Sequence, residues 1–104
     1  MDERVRALYA AGEGPSGTVY MLAASFAEGA ERYEHPTDNP VWREMVLHEL
    51  IHHVQWATGE AEAWPCSRHG ETEAYQLGGV FLREQGAPDP VPNRQFWAHV
   101  YGRC

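Results

Sequence analysis

Hydrophobic residues recur at helical spacing in the middle of the chain, and the flanking residues indicate where this helix starts and stops. The segment 38–40 (DNP) predicts a helix start, because a short polar side chain caps free backbone N–H groups and proline suits the first helical position. The helix should run to about Thr58 and stop at Gly59. One side of its wheel carries Leu47, Leu50, Ile51 and Val54, adjoined by Val41, Met45, His48 and His52. A helix that is apolar around so much of its circumference is predicted to be central and buried.

The C-terminal part of the chain predicts two more helices. The second helix should cover about residues 68–85, with Ser67 as its cap. Segment 87–93 is expected to be extended, because its prolines cannot support a helical hydrogen-bond ladder. Asn93 would then cap a short final helix over residues 94–101.

The N-terminal part is less regular. Residues 1–11 have helical composition and spacing and predict a short helix, which the glycine-rich segment 12–17 would end. Residues 18–26 begin with β-branched and aromatic side chains and form the only predicted strand. Residues 27–39 are expected to be a loop or a short irregular helix. The pattern as a whole predicts a mostly helical α+β protein with one short strand or small sheet.

Length and composition limit the protein class. The 104 residues, 43% of them hydrophobic, predict a single domain over 1–104 with one modest core. Fifteen acidic against eight basic residues give a net charge of −7, and without a basic cluster nucleic acid is excluded as a partner. No run reaches the roughly 18 to 20 apolar residues of a membrane span, so membrane insertion is not expected. The chain is expected to be soluble, in the cytoplasm or secreted after removal of an upstream signal.

Two cysteines, Cys66 and Cys104, leave two interpretations open. They could form one disulfide that closes a long loop, which suits a secreted protein with a small core. They could equally be two separate thiols. Neither cysteine belongs to a C-x-x-C pair, so a structural zinc knuckle is not expected.

The segment 46–55 (VLHELIHHVQ) contains the candidate chemistry. His48 and His52 stand four residues apart, so both imidazoles lie on one helix face and can bind a single zinc ion. Glu49 lies about 100° around the wheel, beside the ion, where it can take a proton from metal-bound water. The alternative is a chance pair in a chain with six histidines. That alternative is disfavoured because two neutral histidines in a buried helix need hydrogen-bond partners or a metal.

The neighbouring residues divide into supporting groups and a possible third ligand. His53 falls about 100° from His52 toward the polar side and is predicted to be peripheral. Gln55 is predicted to support the site by hydrogen bonding. Glu71 and Glu73 are candidates for the third ligand that a catalytic zinc normally has. They point about 200° apart on a helix, so only one can face the ion, and spacing alone does not select it.

The segments HELIHHVQ and ETEAYQLGGVFL together resemble the gluzincin group of zinc metallopeptidases, in which a second helix supplies a glutamate ligand. They are similar to small bacterial H-E-x-x-H proteins and, more distantly, to ImmA/IrrE-type, membrane CAAX-type and thermolysin-like peptidases. In the pattern E-x-x-A-[DN], Ala74 matches the alanine, so the resemblance selects Glu71 over Glu73. Tyr75 departs from the Asp/Asn position, and Glu44 or Glu73 would have to support a ligating histidine instead. The resemblance covers about residues 17–85.

This resemblance implies a minimal zincin-like domain with a central H-E-x-x-H helix and a second, glutamate-bearing helix. It implies one zinc ion on His48, His52 and Glu71, with Glu49 as the general base that hydrolyses a peptide or protein substrate. Residues 18–22 could hold that substrate by strand addition, or could equally be a core strand with no role in binding. Candidate oxyanion donors are His99, Tyr75, Tyr101 and His69.

Two alternatives remain open. In the first, the domain is a non-catalytic or latent module whose zinc is structural, because a chain this short has little room for the far side of a peptidase cleft. In the second, the protein is an adaptor that binds a partner through tryptophan and tyrosine surfaces without a metal. The pattern predicts no oligomeric state and no cleavage specificity.

Overall fold

The computed structural model describes residues 7–13 and 17–104, which form a β-hairpin followed by three α-helices, with short 3-10 turns before the first helix and between the first and the second. Strands β1 (Ala7–Ala10) and β2 (Thr18–Met21) are antiparallel, with Ala7 opposite Met21 and Ala10 opposite Thr18. The helices are α1 (Pro40–Ala57), α2 (Glu71–Glu84) and α3 (Arg94–Tyr101). The prediction of a mostly helical α+β domain is confirmed.

The N-terminal prediction was wrong for the part of it that the structure describes. Ala7–Ala10 is a strand, although alanine and leucine favour helices. Backbone pairing with Thr18–Met21 overrides that local preference, because each strand supplies the other with hydrogen-bond partners along one edge. The predicted strand over 18–26 is correspondingly shorter, since Ala24–Phe26 forms a 3-10 turn. Residues 1–6 of the predicted helix lie outside the described residues.

Helix α1 begins and ends where the sequence predicts. The Asn39 side chain accepts a hydrogen bond from the Val41 backbone N–H at 3.0 Å, and Pro40 is the first helical residue. At the other end, Gly59 adopts a left-handed φ of 82° directly after the cap residue Thr58. Glycine accepts this conformation without steric cost, which explains the sharp stop.

The prediction of which side of α1 is buried was wrong. The buried residues of α1 are Glu44, Glu49 and Gln55, while Leu50 and Val54 are 48% and 56% exposed. Helix α2 and the hairpin pack against α1. Two of the buried polar residues have partners on other elements, since Glu44 pairs with Arg94 and Gln55 bonds to Gly70 and Glu73. A side of the helix that hydrophobicity alone would bury is therefore partly open to solvent.

Helices α2 and α3 pack closely on each other. Ala74 and Leu82 of α2 and Ala98 of α3 are buried, and the Thr72 hydroxyl donates to the Ala98 carbonyl oxygen at 2.9 Å. Because a 3-10 turn occupies Ser67–Gly70, α2 begins later than predicted, and no side chain caps that turn or the helix.

Helix α3 has the predicted bounds, but its start differs in mechanism. Asn93 occupies the cap position with a left-handed φ of 55° and makes no side-chain capping bond. Asparagine tolerates this backbone conformation better than most residues. Its role here is to turn the chain rather than to cap free N–H groups.

A disulfide between Cys66 and Cys104 ties the end of α3 to the segment that precedes α2. The Cα atoms lie 5.7 Å apart and the cysteines are 38 residues apart in sequence. Of the two interpretations that the sequence left open, the paired one is found. Among the described residues, no helix combines the length and the apolar character needed to cross a membrane.

Candidate metal centre

Helix α1 places His48 and His52 one turn apart with their ring nitrogens facing each other. The two Nε2 atoms are 3.2 Å apart, and the ring centroids are 4.8 Å apart at nearly a right angle. Two nitrogen atoms bound to one tetrahedral zinc ion at about 2.0–2.1 Å would lie about 3.3–3.4 Å apart. The separation in this structure therefore fits two ligands of the same ion.

Glu71, the first residue of α2, lies next to both histidines. One carboxylate oxygen of Glu71 contacts Nε2 of His52, and the other lies 3.4 Å from Nε2 of His48. Glu73 faces elsewhere, and its carboxylate accepts a hydrogen bond from the Gln55 side chain at 3.1 Å. The structure therefore brings Glu71, and not Glu73, to the two histidines.

Glu49 lies beside this arrangement and is 5% exposed. Its Oε1 is 4.0 Å from Nε2 of His48, and ligand atoms of Glu49, His48 and His52 all lie within 4.8 Å of one another. Its Oε2 is buried and has no hydrogen-bond partner among the described residues. Burial raises the pKa of Glu49, although the nearby His48 and His52 act in the opposite direction.

Glu71 and His52 shift each other's pKa toward the charged form. Burial alone would raise the pKa of Glu71, but hydrogen bonds and charges from His48 and His52 outweigh it and lower the pKa to about 2. Burial would likewise lower the pKa of His52, but hydrogen bonds with Glu71 and Gln55 raise it. Glu71 is thus ionised at neutral pH, and its charge favours a cation beside it, whether a proton on His52 or a metal ion in place of that proton.

The other predicted site residues lie around this centre. The ring of Tyr75 packs edge-on against His48 at 4.7 Å, and burial together with the charge of Glu71 raises the pKa of Tyr75 to about 12. The ring of Tyr101 packs against the ring of Tyr75, with 5.2 Å between the ring centroids. His53 is turned toward the hairpin, where its Nδ1 lies 3.3 Å from the Tyr9 hydroxyl. This is the peripheral position that the helical wheel predicts.

A cavity of about 910 Å³ opens over the centre. Its walls include His48, Glu49, His52 and Glu71, together with residues of β1 and the segment 90–91. The strand at this cavity is therefore β1, and not the segment 18–22 expected from the sequence. His69 and His99 line a different cavity of about 730 Å³ and are not brought to the histidine pair.

Sequence reasoning missed the group that holds α1, α2 and α3 together beside the centre. Arg94 is 8% exposed and donates to Glu44 at 3.1 Å, to the Tyr75 carbonyl oxygen at 3.1 Å, and to both carboxylate oxygens of Asp89 at 2.8 Å. A Cβ at Gly78 would collide with the Glu44 carboxylate, so a larger residue there would force the ion pair to shift. The two consecutive glycines in a helical sequence were the one signal that could have indicated a close approach.

No protein-family model, no curated protein and no solved structure matches this chain. The interpretation of the centre therefore depends on the chemistry and geometry of its own residues.

Proposed function

We propose that the chain is a zinc-dependent metallopeptidase whose ion is held by His48, His52 and Glu71. The observation that carries this proposal is the convergence of two histidine Nε2 atoms and one carboxylate beside the buried Glu49. Two nitrogen ligands and one carboxylate are a set that catalytic zinc sites use, and they leave a fourth position for water. The unpartnered Oε2 of Glu49 fits this proposal, because a buried carboxylate oxygen needs a donor that the described residues do not supply.

The chemistry follows from the position of Glu49. A bound zinc ion would polarise the substrate carbonyl and lower the pKa of coordinated water. Glu49 would accept a proton from the attacking water and pass it to the leaving amine. The raised pKa of Glu49 suits both steps, because it makes the carboxylate a better base and its protonated form easier to retain. Hydrolysis of this kind forms no covalent bond to the protein.

The walls of the larger cavity suggest how a peptide would bind. Strand β1 borders the cavity, and an extended substrate could pair with its backbone there. Tyr75 also lines the cavity and keeps its phenolic proton at neutral pH, so it could donate a hydrogen bond to the developing oxyanion. His99 lines the other cavity, which makes it a poorer candidate for that role.

A structural role for zinc is the second candidate, and the small core favours it. Among the described residues, Leu82 is the one large apolar side chain with less than 2% exposure. A core of this size gives limited hydrophobic stabilisation, and a metal ion that joins α1 to α2 would add to it. In this case the same three ligands would bind zinc without hydrolysis.

The experiment that separates the two functions is Glu49→Gln, with zinc content and cleavage of an unfolded protein substrate both measured. Retained zinc with lost cleavage supports the peptidase, and activity that survives the substitution excludes Glu49 as the base. Glu84→Gln, on the exposed surface of α2, is the matched control and should change neither quantity. A wild-type protein that binds zinc stoichiometrically but cleaves no substrate would favour the structural role.

A further inference from the structure

Gln55 is a polar side chain in one of the most enclosed positions of the molecule. It is 2% exposed and lies on α1, three residues after His52. Its amide oxygen is 2.9 Å from Nδ1 of His52. Its amide nitrogen donates to the Gly70 carbonyl oxygen and to a Glu73 carboxylate oxygen, both at 3.1 Å. Every polar atom of this side chain therefore has a partner.

These partners determine which way the amide points. A backbone carbonyl and a carboxylate only accept hydrogen bonds, so the amide nitrogen of Gln55 must face Gly70 and Glu73. The amide oxygen then faces His52 and can only accept. As a result, Nδ1 of His52 must carry a proton, and its Nε2 is the nitrogen presented to Glu71 and His48.

Gly70 connects Gln55 to Glu71, the residue that α2 contributes to the centre. Its carbonyl group directly precedes Glu71, so the bond from Gln55 fixes the backbone at the start of α2. A Cβ at Gly70 would collide with the Gln55 amide oxygen and with the ring of Trp64. A side chain at position 70 would therefore force Gln55 or Trp64 to move. One side chain thus contacts a ligating histidine and the backbone next to the glutamate.

We propose that Gln55 is the positioning residue of the metal centre. It selects the His52 tautomer that binds through Nε2, and it holds the start of α2 so that Glu71 reaches the same ion. Glu73 acts through Gln55, since its carboxylate fixes the orientation of the amide. This inference rests on the metal-binding part of the proposed function and does not depend on peptide hydrolysis.

The first test compares zinc affinity in wild-type protein, Gln55→Ala and the matched control Gln76→Ala, by competition with a chromophoric chelator. Removing the hydrogen-bond partner of a ligating histidine typically lowers metal affinity about 10 to 100-fold. Gln55→Ala should therefore bind zinc more weakly by about that factor. Gln76 lies on α2 and makes an exposed bond to Gln95, so its substitution should leave the affinity unchanged. Equal affinity in wild type and a folded Gln55→Ala would overturn the proposal.

A rescue variant distinguishes positioning from general damage to the fold. The double substitution Gln55→Glu with Glu73→Gln exchanges the two groups, keeps an acceptor for Nδ1 of His52, and restores a donor between the two side chains, although it does not restore the bond to the Gly70 carbonyl oxygen. It should bind zinc more tightly than Gln55→Glu alone, in which two carboxylates face each other. A double variant no better than Gln55→Glu would contradict the proposal. This comparison still decides the matter if Gln55→Ala does not fold.

The second readout is the imidazole proton itself. Proton and nitrogen NMR near neutral pH should detect Nδ1–H of His52 as a slowly exchanging proton, with and without zinc, and Gln55→Ala should lose this protection. Zinc binding through Nδ1, or a rapidly exchanging Nδ1–H in the wild type, would overturn the proposal. If the wild type binds no zinc, the proposed function fails, while the protected proton still tests the role of Gln55.

Discussion

Glu44 on α1 and Arg94 on α3 form a buried ion pair at 3.1 Å, although they are 50 residues apart in sequence. Arg94→Ala would leave the carboxylate of Glu44 buried without its partner. Removing one member of a buried pair costs about 3–5 kcal/mol, and we expect the free energy of unfolding to fall by about that amount. Urea denaturation measures it.

The exposed pair of Arg43 with Asp38, at 2.9 Å, is the control for this prediction. Both of its side chains are more than half exposed, so Arg43→Ala should cost less than about 1 kcal/mol. Equal losses in the two variants would show that burial does not set the strength of the Glu44 pair.

The pH dependence of stability should include a contribution from Asp89. The hydrogen bonds from Arg94 lower the pKa of Asp89 below its usual value of 3.8. Because the folded pKa is the lower one, this stabilisation is complete above the unfolded pKa and is lost as pH falls through the folded pKa. Asp89→Asn should therefore be less stable than wild type at pH 7, and the difference should shrink below about pH 4. A difference that stays constant from pH 7 to strongly acid conditions would contradict this prediction.

Exchanging the two acidic residues of α2 tests the third ligand. Glu71→Gln should lose most of the zinc affinity, because Glu71 faces both histidines. Glu73→Gln should have the smaller effect, since its carboxylate bonds to Gln55 rather than to a histidine. Isothermal titration with zinc measures both. The reverse order of affinities would assign the ligand role to Glu73.

Chelation should destabilise the folded protein if the centre binds zinc. A ligand that binds only the folded state adds about 2.7 kcal/mol at a free concentration of 100 times its Kd. Thermal unfolding with excess zinc should therefore occur at a higher Tm than with chelator. In the double variant His48→Ala with His52→Ala the Tm should not respond to either addition, and a response there would place the bound ion elsewhere.

The disulfide should stabilise both the fold and the centre. It closes a loop of 38 residues, for which the chain-entropy relation predicts about 4 kcal/mol. Replacing both cysteines by serine should lower the free energy of unfolding by up to that amount. Zinc affinity should fall as well, because Cys66 precedes the turn that leads to Glu71. Unchanged zinc affinity in the folded variant would show that the turn holds its position without the bond.

The parts of the fold that depend on local chemistry could be predicted from the sequence. Asn39, Pro40 and Gly59 define the ends of α1 through backbone conformation and capping, which neighbouring residues control. The hairpin could not be predicted in the same way. Its first strand consists of helix-forming residues and exists because a second strand pairs with it.

The same distinction applies to the centre. The spacing of His48 and His52 is sufficient to place both rings on one face of a helix. The choice between Glu71 and Glu73 depends on which side of α2 packs against α1, and spacing does not contain that information. The wheel of α1 indicated the wrong buried side, because the partners of Glu44 and Gln55 come from distant parts of the chain.

The disulfide also changes what proteolysis can do to this molecule. The bond from Cys66 to Cys104 makes the chain between them a closed ring that contains α2, α3 and the irregular segment 87–93. A single cut in that segment would leave two pieces that stay covalently joined, with Arg94 still attached to the body of the protein. While the disulfide is intact, such a nick would create two new chain ends. The two pieces would still sediment together as one particle.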